Sequence, residues 1–126
     1  MKTIDIDSIQ PFELPGVVHR TIASPATGAK TFEAWMQTVA PGAQTPPHKH
    51  DCEEIVVMLS GTVTCRNERG EECVVGPNQS IVFEPNVTHE IINTGDVPAT
   101  GMAFFAMKDL VVQDPTGEHM PLPWQQ

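Results

Sequence analysis

Two histidines, His48 and His50, stand two residues apart directly after Thr45-Pro46-Pro47, and Glu54 follows four residues on. In an extended segment that spacing turns both imidazoles to one face. Glu54 opens a strongly apolar run, EIVVML over 54–59, where an unpaired carboxylate would be costly to bury and a bound metal ion would remove the cost. His89 opens another apolar run with Ile91 and Asn93 on its side by alternation, so a third imidazole can face inward from a different part of a sheet. Three imidazoles and one carboxylate make a mixed nitrogen and oxygen donor set suited to iron(II), manganese, nickel or cobalt. Four protein ligands would saturate a tetrahedral structural zinc, whereas a six-coordinate ion keeps two positions for water, dioxygen or a chelating substrate. Neutral imidazoles and one carboxylate leave about one unit of positive charge on such a centre, enough to polarise a carbonyl as a Lewis acid.

The elements that must position these residues read as strands. Twelve prolines and nine glycines among 126 residues interrupt the chain too often for long helices and suit short strands joined by turns. The run TFEAWMQTV over 31–39, β-branched and aromatic, stops at Pro41-Gly42. Further runs at 54–59, 62–66, 71–75, 80–83, 88–92 and 100–107 are bounded by turn residues such as Ser60-Gly61, Gly76-Pro77-Asn78 and Pro85-Asn86. The pair 62–66 and 71–75 reads as a hairpin. About eight strands at this spacing predict an all-β sandwich or barrel. The tail over 114–126 carries Pro115, Gly117, Pro121 and Pro123, which excludes a regular helix or a central strand, yet it also holds Met120, Leu122 and Trp124. Such an apolar tail has to cover something, and the candidates are its own sheet or a partner's.

Composition narrows the partners. Sixteen acidic residues against seven basic ones give a formal net charge of −9, which repels a phosphate backbone or an anionic membrane surface. No nucleic-acid or membrane partner is expected, and no apolar stretch has the length needed to span a bilayer. Three cysteines, Cys52, Cys65 and Cys73, form an odd set without a C-x-x-C pair, which fits free thiols in a reducing, cytoplasmic setting.

Other candidates carry weaker chemistry. His19, on an expected edge strand near Arg20, and His119, in the tail, read as surface or hydrogen-bonded residues rather than ligands. Cys52, between His50 and Glu54, reads as a small buried hydrophobe before it reads as a ligand. Glu53, Glu90 and Asn93 could orient the imidazoles from behind, although solvated acids are the commoner case. Met36, Phe83, Met102, Phe104 and Met107 divide between the wall of a pocket and ordinary core.

These residues carry a family resemblance. The stretch over 42–61 keeps Gly42, His48, His50, Glu54 and Gly61 at the spacing of the first cupin motif, and the stretch over 78–93 resembles the second, with His89 and Asn93 in place. Asn78 and Asn86 stand where the family usually has glycine, and asparagine tolerates a left-handed backbone better than most residues. The resemblance implies a double-stranded β-helix barrel of jelly-roll type. Over 1–126 it would form a single cupin domain, with motif core 42–93, N-terminal strands within 1–39 and the apolar tail at 114–126. It also implies that His48, His50, Glu54 and His89 are the ligands of one divalent ion (iron, manganese, nickel, cobalt or zinc) and that the chain forms a homodimer. The expected function is that of a metalloenzyme acting on a small oxygen-bearing molecule, with dioxygenase-type oxidation ahead of metal-dependent isomerase or lyase chemistry and of a non-catalytic binding module. Only Lys49 lies inside the ligand motif, with Arg66 and Arg69 at a hairpin tip, so a neutral or lightly charged substrate fits better than a sugar phosphate.

Overall fold

The computed structural model describes residues 1–106 and 110–125. Nine strands run through them: β1 Phe12–Leu14, β2 Val17–Ala23, β3 Phe32–Val39, β4 Glu54–Ser60, β5 Val63–Asn67, β6 Glu72–Val75, β7 Ser80–Phe83, β8 His89–Ile92 and β9 Ala99–Ala106. Short 3-10 turns at Ile6–Ser8, Pro25–Thr27 and Pro123–Gln125 are the helical elements. Turn residues end the strands as their chemistry requires. Asn78 and Asn86 both take the left-handed conformation, with φ of 62° and 61°, which is what allows asparagine to replace glycine at those corners.

The strands form two antiparallel sheets, one ordered β1-β2-β3-β9-β4-β7 and one ordered β6-β5-β8. The hairpin expected over 62–75 is β5 with β6, in a register that opposes Thr64 to Val74 and Cys65 to Cys73. Side chains from both sheets, among them Trp35, Val56, Met58 and Phe105 from the larger and Val63, Cys65 and Ile91 from the smaller, meet in one apolar cluster, so the core lies between the sheets.

The closed β-helix barrel implied by the family resemblance is not formed. Among the described residues both sheets are open, with β1 and β7 at the edges of the larger and β6 and β8 at those of the smaller. The chain between β3 and β4 would have to complete a continuous ladder to close them. It makes only isolated bridges instead, Gln44 with Ile92, His48 with His89 and Lys49 with Gln113. Pro41, Pro46 and Pro47 lie in this segment and lack the amide hydrogens a ladder uses, which confines pairing to single points.

His19 is likewise not on an edge strand, because β2 pairs with β1 on one side and with β3 on the other. The tail packs across the chain's own core: Leu110, Met120, Leu122 and Trp124 lie against it. Met107 falls outside the described residues. No helix among those described is long and apolar enough to cross a membrane.

Candidate metal centre

The segment that carries His48 and His50 is pinned to β8 at intervals. The Thr45 amide donates to the Ile91 carbonyl and the Ile91 amide to Thr45 Oγ1, both at 2.9 Å. His48 and His89 then exchange backbone hydrogen bonds of 3.0 and 2.8 Å. These contacts set His48, His50 and His89 side by side, with ring centroids 5.1 Å apart for His48 and His50 and 4.5 Å apart for His48 and His89. Glu54 enters from β4, in the other sheet.

The four side chains each offer one ligand atom, and these atoms all lie within 4.8 Å of one another. Such a cluster is capable of coordinating a divalent metal ion. His50, Glu54 and His89 are buried and His48 is partly exposed.

The hydrogen bonding around the rings fits a metal. His48 Nδ1 lies 2.7 Å from the Pro46 carbonyl, His50 Nδ1 2.9 Å from that of Val111 and His89 Nδ1 3.2 Å from that of Val87. A carbonyl only accepts, so each Nδ1 carries the proton, and in a neutral ring Nε2 presents its lone pair. His89 Nε2 faces Glu54 Oε1 at 2.8 Å. His50 Nε2 lies 3.5 Å from the same oxygen and is buried with no hydrogen-bond partner. Lone pairs and a carboxylate pointed at one another in a buried site suit a cation between them. The rings are fixed by packing too: Phe83 stacks flat on His89, centroids 4.0 Å apart, and Phe105 meets His50 edge-on at 4.8 Å.

Electrostatics follow from this crowding. Burial pushes His48 down to about 4, against the opposing pull of the Glu54 carboxylate, so its imidazole is neutral at physiological pH. Burial would lower His50 as well, yet the Glu54 carboxylate and the Val111 carbonyl raise it above its ordinary value. Burial would raise Glu54, but His50 and His89 hold its carboxyl well below the usual range, and it stays ionised.

Beside the cluster lies a cavity of about 420 Å³ whose lining includes His48 and Glu54. Its other walls are mostly apolar: Leu14, Val17, Trp35, Val112, Leu122 and Trp124. Of the residues proposed from sequence as pocket or core, Met36, Phe83, Met102 and Phe104 do not line this cavity. Met36 pairs with Met102 and Ala34 with Phe104, one residue out of step with Trp35 and Phe105, so alternation turns Met36, Met102 and Phe104 to the sheet's other face.

The residues expected to orient the imidazoles do other work. Glu53 is exposed, and Glu90 accepts a hydrogen bond from Gln44. Asn93 is fully buried and donates to the Val39 and Val97 carbonyls while accepting from the Gly95 amide. It ties two turns together, and the imidazoles are oriented by backbone carbonyls instead. The Cys52 thiol lies outside the cluster, with its Sγ 3.9 Å from the Ala106 carbonyl.

The apolar tail covers the chain's own core, as one of its two expected placements, but sequence reasoning missed what it and Val111 do for particular histidines. Val111 orients His50, and Trp124 stacks on His19 with ring centroids 3.5 Å apart while meeting Trp35 edge-on at 5.3 Å. The apolar residues Met120, Leu122 and Trp124 signalled that the tail covers something, but not that it meets His19. Arg66 and Arg69 are engaged with Glu72 and Glu84 at the surface, away from the cavity.

Residues 35–105, more than half of the chain and including all four cluster residues, match the cupin domain family. The chain belongs to the cupins. Among curated relatives, auxin-binding protein 1 of Arabidopsis thaliana is 40% identical over 90 residues, which cover 64% of this cupin and 46% of the relative. The chain thus spans about half the length of the curated relatives it matches. Among solved structures, a polyketide cyclase from Streptomyces resistomycificus superposes with a TM-score of 0.76 at 20% identity, covering 96% of this chain and 82% of that one. A sugar phosphate isomerase of the cupin superfamily from Silicibacter pomeroyi does so with a TM-score of 0.73 at 22% identity, covering 99% of each chain. Oxalate decarboxylase from Bacillus subtilis gives 0.73 at 17% identity, covering 82% of this chain and 28% of that one. These similarities establish the cupin fold. The expected oxidoreductase of dioxygenase type is not borne out: these similar structures are named as a cyclase, an isomerase and a decarboxylase.

Proposed function

We propose that this cupin is a metal-dependent enzyme in which His48, His50, Glu54 and His89 hold one divalent ion beside the cavity and serve isomerase or lyase chemistry on a small oxygen-bearing molecule. The observation that carries this reading is the shared orientation of the three imidazoles, each with Nδ1 on a backbone carbonyl and Nε2 left for the ion. A divalent ion held there would act as a Lewis acid on a substrate carbonyl. The chain's own groups supply the rest. Glu54 stays ionised and neutralises part of the ion's charge. His48 and Glu54 mark the polar end of the cavity, while Trp35, Leu122 and Trp124 exclude water from the apolar end and orient a substrate body against it. Arg66 and Arg69 are occupied by surface carboxylates, which supports a substrate without phosphate.

A second reading rests on the same cavity. The curated relatives are named auxin-binding proteins, and an apolar chamber walled by two indoles with a polar end suits capture of such a molecule without turnover. One experiment tests both. The chain's two tryptophans both line the cavity, so intrinsic fluorescence reports its occupancy. The metal-loaded protein is titrated with small keto acids, hydroxy ketones and an auxin, and each mixture is examined for product. Metal-dependent product formation from a carbonyl compound supports the enzyme. A saturable, metal-dependent fluorescence change with auxin and no product supports the binding module. Equal responses in metal-free protein would overturn both.

A further inference from the structure

Away from the ligand cluster, β5 and β6 bring two cysteines face to face. Cys65 is opposite Cys73 in the hairpin register. The Asn67 amide donates to the Glu71 carbonyl at 3.1 Å, so 67 and 71 form a hydrogen-bonded pair. By alternation Cys65 and Cys73, two residues farther along each strand, form another. Cα atoms of such a pair stand about 5.5 Å apart, inside the window that a disulfide spans. Directly opposed Cβ atoms lie about 4.5–5.5 Å apart, roughly an ångström beyond the spacing of a formed bridge. β6 is an edge strand with one neighbour, so it can move by that amount without breaking a second ladder.

The two thiols also share a surface cavity of about 130 Å³, which Phe83 and His89 help to line. Their exposure differs: Cys65 is 2% exposed, whereas Cys73 is open to solvent, and both thiols are free. We propose that Cys65 and Cys73 are a reversible redox pair that closes a cross-strand disulfide at the back of the His89 strand, with Cys73 as the attacking thiol and Cys65 as the resolving one. The co-reactant is a small disulfide such as oxidised glutathione. Cys73 gives up its proton, its sulfur attacks the small disulfide, and one small thiol leaves with that proton. Cys65 sulfur then attacks Cys73 Sγ and displaces the second small thiol, which carries off the Cys65 proton. Two protein thiols and one small disulfide become one protein disulfide and two small thiols. Burial pushes the Cys65 thiol up to about 12, which leaves the first attack to Cys73.

The test uses the full chain incubated with oxidised glutathione, then denatured for thiol counting and intact-mass measurement. The three thiols should fall to one, with a mass lower by two hydrogens and no glutathione retained. Cys52→Ser should fall from two thiols to none by the same route. Cys73→Ser should lose no thiol pair, and Cys65→Ser should stop as a stable glutathione adduct on Cys73. The proposal is overturned if three thiols survive, if the wild-type adduct on Cys73 persists unresolved, or if the product is a disulfide-linked dimer. A thiol pair lost equally in Cys73→Ser would also overturn it.

Discussion

His19 and His50 are equally hidden from solvent, at 0% and 1% exposure, yet their ring nitrogens are treated in opposite ways. His19 has both satisfied: Nε2 meets Thr21 Oγ1 at 2.8 Å and Nδ1 meets Gln37 Nε2 at 2.9 Å. Its ring is also stacked on Trp124. His50 has one nitrogen on the Val111 carbonyl and leaves the other without a partner, pointed at Glu54. A completed pair of hydrogen bonds suits a structural histidine, and an incomplete one beside a carboxylate and two similar imidazoles suits the proposed ligand. Burial alone does not separate the two. The regions nevertheless share a wall, since Gln37 and Trp124, which hold His19, line the same cavity as His48 and Glu54.

The sharpest way to break this distinction is to delete a nitrogen from each region. His50→Ala should weaken metal binding by at least about 100-fold, the upper range seen for lesser changes that only disturb a ligand's supporting partner. Competition with a chromogenic chelator measures it. His19→Ala should leave that affinity within about twofold.

Removal of the metal should next separate the regions by stability. An ion at 100 times its Kd stabilises the native state by about 2.7 kcal/mol, so chelation should lower Tm by roughly 10 °C in a domain of this size. The same treatment of His50→Ala should move Tm little.

His19→Ala should cost about 2–4 kcal/mol of folding free energy in denaturant titration, because it empties a packed site and strands Thr21 and Gln37. Its metal content should stay normal.

The same region also sets a pH dependence. Burial lowers His19 to about 3, below its unfolded value near 6.5, so the folded state holds the ring neutral where the unfolded chain would protonate it. Its contribution to stability is intact above about pH 6.5 and is lost progressively as pH falls toward about 3, with a slope of up to about 1.4 kcal/mol per pH unit. His19→Phe should flatten that part of the profile in metal-free protein.

The four cluster residues were legible in the sequence because a set of donor side chains that converges leaves a local trace, a His-x-His step followed by a glutamate at the head of an apolar run. The strands were legible because prolines, glycines and asparagines end them. What sequence could not supply was how distant segments meet. Alternation groups Trp35 with Gln37 and Met36 with Thr38, but it does not say which set faces in. Nothing near His19 announces that Thr21, Gln37 and Trp124 will enclose it, since two of those partners come from β3 and from the tail. The expected closed barrel failed for a related reason: family motifs locate the ligands, while ladder closure depends on amide hydrogens that Pro41, Pro46 and Pro47 do not have.

The most direct measurement is elemental analysis, after reconstitution with manganese and gel filtration, of wild type, His19→Ala and His89→Ala side by side. One ion per chain in wild type and in His19→Ala, with none in His89→Ala, is the expected result. An ion retained equally by His89→Ala, or taken up by none of the three, would contradict the account of His48, His50, Glu54 and His89 as a metal centre.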